Sequence, residues 1–272
     1  MALFMLLLAR EGSRLMKASE TEHLMMKRLW RHGVRYATGL ATAAAILAPV
    51  AANAQIRQVP STEHRQSIGG TVGWFFPKSE DSRVDGDTIV ADLNDLVFDV
   101  SDFNGASFSG EWLFAFGKYV ESGVSVGYYK RTVPSVYRNF VNANGSEIEQ
   151  DLKLRIVPIN ATVRFLPIGH GSVEPYVGGG IGIFNWRYSE AGEFVDSSDG
   201  SIFRASYKAD GWTAGPVILA GVRVPFGDVW DIGGEIQYQH AHGDTDREQS
   251  QLLGDKIDLG GVHALFTMHV RF

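Results

Sequence analysis

Cysteine is absent from the 272 residues, which excludes a disulfide scaffold and any cysteine-ligated zinc site. Proline is sparse, at nine residues, and Lys and Arg (25) are outnumbered by Asp and Glu (31). That acidic balance excludes general nucleic-acid binding. Beyond residue 54 no run of 18 apolar residues occurs, so no membrane-spanning helix is expected there. What is plentiful is aromatic and small: 16 Phe, 9 Tyr, 6 Trp and 31 Gly. So many core-forming side chains exclude a disordered chain.

The segment Met26–Ala54 has three parts. Lys27, Arg28, Arg31 and Arg35 form a basic start, an Ala-rich apolar stretch runs from Tyr36 to about Val50, and Ala52-Asn53-Ala54 supplies small residues before Gln55. This is the pattern of a secretory signal peptide, with cleavage expected between Ala54 and Gln55. We therefore expect residues 25–54 to be the signal peptide, 1–24 an over-long start or unstructured extension, 55–66 a short N-terminal segment, and 67–272 the working domain. Without residues 1–54 the chain loses seven basic and three acidic side chains, and its net charge becomes −10.

From Ser67 onward, apolar residues recur at every second position in eight stretches. In Val262–Phe272, Val262, Ala264, Phe266, Met268, Val270 and Phe272 oppose His263, Thr267, His269 and Arg271. The same alternation marks Ser67–Phe76, Ala106–Phe116, Gly123–Thr132, Arg155–Phe165, Pro175–Trp186, Gly211–Phe226 and Trp230–His242. A period of two is the signature of β-strands with two unlike faces. The alternation changes phase twice: Leu152, Leu154 and Ile156 are out of step with Val157 and Ile159, and Ile257 and Leu259 with Val262. Single-residue bulges are expected at both places. Short connections (Gly117–Ser122, Leu166–Val173, Gly227–Val229) alternate with long polar ones (Pro77–Gly105, Val133–Gln150, Arg187–Asp210, Gly243–Asp255). An even-numbered antiparallel meander of this kind is the transmembrane barrel pattern.

A soluble eight-stranded barrel would turn its apolar face inward. Here the apolar side carries Trp74, Phe76, Phe116, Tyr128, Phe165, Trp212, Phe226 and Phe272, several at strand ends, as the two bilayer interfaces require. The opposite side carries Glu111, Arg131, Arg164, Arg223, Glu235 and Arg271 among small residues. At the bilayer midplane Arg or Lys costs about 2–4 kcal/mol, so these charges are expected to pair within the lumen. The fold class is therefore all-β: an eight-stranded antiparallel up-and-down transmembrane β-barrel. Its lumen should be filled rather than open, because eight strands enclose little more than their own side chains.

Two features resemble the small eight-stranded outer-membrane barrels of Gram-negative bacteria, in the OmpA-barrel, OmpX and OmpW-like group. Val173-Glu174-Pro175-Tyr176-Val177-Gly178-Gly179-Gly180-Ile181-Gly182 is similar to their glycine-rich strand. The alternating last strand ending in Phe272 is similar to the terminal aromatic signal read by the barrel-assembly machinery. The resemblance covers about Ser67–Phe272. It implies residence in the outer membrane among lipid and lipopolysaccharide, short turns in the periplasm and long loops outside.

Candidate chemistry is limited, and no cofactor is expected. The lumenal charges read first as a structural network. His240-Ala241-His242 places two histidines on one strand face. Lipid A deacylases, which are outer-membrane barrels, carry a catalytic His with a Ser two residues on; this sequence has His242 there, so the nucleophile is missing. His263 and His269 face the lumen by parity. Gly178–Gly182 is no phosphate loop, since no helix follows. The first long loop holds Glu80, Asp81, Asp85, Asp87, Asp92, Asp95, Asp99 and Asp102, a set suited to divalent cations, and its Ile89–Val100 stretch is apolar enough to fold over the barrel. The expected function is non-catalytic, structural or surface-interacting through long acidic loops. The alternatives are OmpW-like passage of small or hydrophobic molecules and, remotely, a lipid A-modifying hydrolase.

Overall fold

The computed structural model describes residues 65–196, 198–246 and 250–272. The expected signal peptide and the Ala54–Gln55 cleavage site lie outside them. Eight strands form a closed antiparallel ring: β1 (Gln66–Pro77), β2 (Gly105–Phe116), β3 (Val120–Val141), β4 (Glu147–Phe165), β5 (Glu174–Val195), β6 (Ile202–Phe226), β7 (Trp230–Gln239) and β8 (Gly261–Arg271). Consecutive strands pair along the ring. Pairing of β1 with β8, from Ser67↔Arg271 to Pro77↔Gly261, closes it. Closure satisfies the backbone donors and acceptors that lipid cannot satisfy.

Outward positions on every strand make an apolar belt. Trp74, Phe76, Phe116, Tyr128, Phe165, Trp212, Phe226 and Phe272 are all exposed on it. On β4 the belt comprises Phe165, Val163, Ala161, Ile159 and Val157, and it ends at Arg155. Five outward residues span roughly 27 Å of strand and, at a tilt near 40°, about 20 Å of membrane normal.

Above the belt, β3 to β6 continue much farther than expected, reaching 19 to 25 residues each. The segments Val133–Gln150 and Arg187–Asp210, expected as loops, are mostly strand. They leave only residues 142–146 and 196–201 as connections. The physical reason is a change of surroundings at constant backbone phase. The β4–β5 register runs unbroken from Gln150↔Gly192 to Phe165↔Val177. No bulge occurs between Ile156 and Val157. The same inward face carries Asn160, Thr162 and Arg164 in the short-turn half and Leu152, Leu154 and Ile156 in the long-hairpin half, all buried. The outward face goes the opposite way, from apolar against lipid to Arg155, Lys153 and Asp151 in water. The second expected bulge is also replaced: Lys256–Asp258 is a separate short strand paired with His242–Asp244, and β8 begins after Gly260. The observed irregularity lies elsewhere, between Val136 and Val141.

The apolar inner face of the long strands exists because something packs on it. Residues 78–104 fold back over the mouth of the barrel. They contain a short helix, α1 (Thr88–Asp92), capped by Asp87, whose side chain accepts from the Val90 amide. A two-residue strand, Leu96–Val97, then lies on β3. Ile89, Leu96, Val100 and Phe103 from this segment join Phe75, Tyr129, Leu152, Leu154, Phe184 and Trp186 in one core. Each such side chain contributes about 1.5–3 kcal/mol by leaving water. This segment is tied to the last connection: the Arg83 guanidinium pairs with Asp87 at 3.0 Å and donates to the Asp258 carbonyl at 2.8 Å. The Asp258 carboxylate takes Lys78 at 2.9 Å.

Truncating Leu152 to Ala should therefore destabilise the folded barrel by about 2–5 kcal/mol, the range for a buried Leu. Lys153→Ala, one residue on and facing outward, should change stability by no more than about 0.5 kcal/mol. Urea unfolding in lipid vesicles compares them; equal effects would mean the phase on β4 has been assigned wrongly.

Candidate functional site in the barrel lumen

Between the plug and the short turns, the lumen is filled by charge. Arg164, from β4, pairs with Glu111 of β2 at 2.6 Å and Glu235 of β7 at 3.0 Å. Arg223, from β6, pairs with Glu121 of β3 at 2.7 Å and lies 3.5 Å from Glu174 of β5. Arg271, near the end of β8, bridges Glu174 at 3.0 Å and Asp231 of β7 at 2.9 Å. The His269 ring joins the groups, with Nε2 2.6 Å from Glu111 and Nδ1 2.8 Å from Asp231. His170, in the turn before β5, lies 3.4 Å from Glu174.

Tyr176 stands at the centre. Its hydroxyl donates to Glu235 at 2.9 Å, and the guanidinium groups of Arg164 and Arg223 lie 5.0 and 5.1 Å from its ring centroid. Two cations close to one ring are favourable when shielded from water. Room for the ring comes from Gly221 on the neighbouring strand, where any Cβ would run into the phenol. The glycine-rich strand thus serves packing, and Phe184 likewise lies across Gly182.

The structure brings Glu111, Arg164, Arg223, Glu235 and Arg271 into this one network. Arg131 stands apart. It follows Tyr129 on the inward face of β3 at the level of the apolar plug, is exposed, and donates through Nε to the Asp102 carbonyl at 2.8 Å. Glu121, Glu174, Asp231, His269 and Tyr176 also belong to the network and were not expected in it. Their parity along the strands is the signal that marks them, since each shares its inward phase with a residue already singled out. His263 belongs elsewhere, between Ser107 and Gln239 and stacked on Phe75. Phe272 lies at the seam of the ring and exchanges backbone hydrogen bonds with Gln66.

His240 and His242 are both exposed, and the His240 Nδ1 is 3.0 Å from the Lys78 ammonium. Four of the eight acidic residues of the first connection are occupied within the protein. Asp87 holds Arg83 and caps α1, Asp99 and Asp102 form a reciprocal helix cap, and Asp92 accepts from the Tyr188 hydroxyl at 2.7 Å. Among the described residues no three His, Asp or Glu side chains converge on a metal position.

The lumenal charges are mutually dependent, so removing one cation leaves carboxylates buried and unpaired. Arg164→Ala should cost about 3–5 kcal/mol. The triple variant Glu111→Gln, Arg164→Met, Glu235→Gln should be less damaging than the single change, as vesicle unfolding would show. Asp92, in the extramembrane cap, gives a pH signature: burial pushes its carboxyl up to about 7. The folded chain then holds that proton more tightly than the unfolded chain does. Docking of α1 should be firmest below about pH 4 and weaken as pH rises through 7; Asp92→Asn should reduce this dependence, and Asp92→Asn with Glu190→Gln, which also removes the neighbouring buried carboxyl shifted the same way, should abolish it. Intrinsic-rate-corrected amide exchange of Ala91 reports it.

No curated protein matches the chain. Solved structures similar to it include the outer membrane protein OprG from Pseudomonas aeruginosa, at 12% identity over 77% of this chain and 96% of that one, with a TM-score of 0.46. Neisserial surface protein A is similar at 12% identity over 76% and 96%, with a TM-score of 0.40. The family described as Outer membrane protein beta-barrel domain matches residues 39–258, most of the sequence. In agreement with its closed ring of eight strands and outward apolar belt, the chain belongs to the outer membrane protein beta-barrel domain family and resides in the outer membrane.

Proposed function

We propose that the protein is a non-catalytic barrel that presents a rigid platform at the cell surface, with its long hairpins outside and its short turns in the periplasm. The observation that carries this reading is the double filling of the lumen. The charged network occupies one half and the plug from residues 78–104 the other. A cavity of about 20 Å³ between them has room for a single water. The platform is built from the extended strands β3 to β6 and from two connections joined through Arg83, Asp87 and Asp258. Its occupants are outer-membrane lipid and lipopolysaccharide at the belt and surface partners at the hairpin tips. Phe272, exposed at the seam, is the feature offered to the barrel-assembly machinery.

A second reading, passage of small or hydrophobic molecules, is favoured by one feature. Pro158 cannot donate to the ladder, and pairing of β3 with β4 skips from Val126↔Ile159 to Tyr129↔Ile156. The small cavity reaches this gap and is lined by the outward residues Phe108 and Tyr128 as well as by lumenal ones.

The lack of native cysteine makes the orientation directly measurable. Asn144→Cys, at a hairpin tip, should react with a membrane-impermeant maleimide on intact cells. Asp228→Cys, in a short turn, should react only after permeabilisation; the reverse pattern would overturn the orientation. Purified protein should leave planar bilayers silent, whereas stepwise conductance would reject the filled lumen and favour passage.

A further inference from the structure

The outward face of β3 to β6 changes character abruptly where the apolar belt ends. Strand register aligns the residues there in rows. Lys130, Arg155, Arg187 and Asp210 are consecutive partners across the four strands. The next row away from the belt is Thr132, Lys153, Ser189 and Lys208. Two adjacent rows thus hold five cations and one carboxylate, in a protein whose sequence beyond residue 54 carries a net charge of −10. The patch spans three strand spacings, roughly 14 Å.

These cations are poorly compensated by the protein itself. Arg187 reaches Asp210 at 3.5 Å, with both side chains nearly half exposed. Among the described residues no carboxylate lies within ion-pair distance of Lys130, Lys153, Arg155 or Lys208. Asp151 faces outward one row farther on. Lys130 is directly opposite Arg155, and Arg155 directly opposite Arg187; like charges facing each other across a ladder are destabilising. A sheet that repeats this arrangement on three neighbouring strands is built for an external negative charge.

The level of the patch says what carries that charge. The positions immediately on the belt side are Tyr128, Val157, Asn185 and Trp212. Tyr128 and Trp212 are exposed aromatics of the kind that settle at the boundary between acyl chains and headgroups. The Asn185 side chain accepts from Arg155 at 2.9 Å and so draws that guanidinium toward the belt. We infer that Lys130, Lys153, Arg155, Arg187 and Lys208 form a binding site for the phosphate groups of an outer-leaflet glycolipid, whose acyl chains lie along Val157, Ile159, Ile181 and Ile183. The inference rests on the orientation proposed above for its leaflet, but not for its chemistry. The ligand is membrane-anchored rather than a free anion, because the cations adjoin an apolar surface that only acyl chains would cover.

The test uses the full chain folded in phosphatidylcholine nanodiscs containing either bisphosphorylated lipid A or the same lipid stripped of its phosphates, with bound lipid counted by native mass spectrometry. Wild-type protein should retain the phosphorylated form roughly tenfold over the stripped form. K153Q/R155Q/R187Q should abolish that preference, while K118Q, in a short turn, should leave it intact. Heat-modifiability on gels checks that each variant is folded, and the wild-type comparison needs no variant at all. Equal retention of the two lipids, or an equal loss of preference in K118Q, would overturn the site. Equal retention of inositol hexaphosphate in discs without lipid A would overturn its assignment to lipid. Because both leaflets of a nanodisc are accessible, failure here is distinguishable from failure of the orientation, which cysteine labelling on cells reports separately.

Discussion

Closure of the backbone ladder between the first and last strands is the constraint on which everything else depends. A hydrocarbon environment offers no partner to an amide or carbonyl, so a sheet with an open edge cannot stay there. Once the ring is closed, its diameter is set by eight strands, and the lumen must be filled by the inward side chains themselves. The pairing of Ser67 with Arg271 and Pro77 with Gly261 is therefore also what forces Arg164, Arg223 and Tyr176 into contact.

The filling comes in two chemically different halves. Near the short turns, the inward face is charged, and each guanidinium is shared by two carboxylates. Beyond the belt the outward face meets water. The inward face is then free to become a hydrophobic core, and the first connection supplies the other half of that core. The strands invert their polarity without changing register, like a soluble sandwich stacked on a membrane barrel. The result is a molecule whose two ends are stabilised differently: one by ion pairing shielded from salt, the other by apolar burial that a water-exposed hairpin can share.

Much of this was legible in the alternation of residues. Eight strands, their order and the lipid-facing aromatics follow from a period of two and from the position of Trp74, Phe165 and Phe226. The extent of β3 to β6 was not legible, because Leu152, Leu154, Trp186 and Tyr188 occupy the face opposite to the one that lipid marks on the same strands. Without knowing that residues 78–104 return to cover them, their phase looks like a bulge. The lumenal network was half legible. Parity places Glu111, Arg164, Arg223, Glu235 and Arg271 inside, but height along the barrel decides which of them meet. Arg131 has the right parity at the wrong level. The rows of cations on the outer sheet needed the register, which no single strand contains.

The clasp between Lys78 and Asp258 sits at the seam, just beyond β1 and just before β8. Lys78 also continues the seam ladder by donating its amide to the Gly260 carbonyl at 3.1 Å. The strands it joins lie at opposite ends of the described chain, so the seam can form only after all eight strands have been synthesised, and loop closure makes it a late event. A contact made that late stabilises the finished state without hastening its formation, and so acts mainly on the rate of opening. The half-buried ion pair at the seam is in this sense a kinetic lock, delaying the moment when the cylinder could unroll into a sheet with two bare edges.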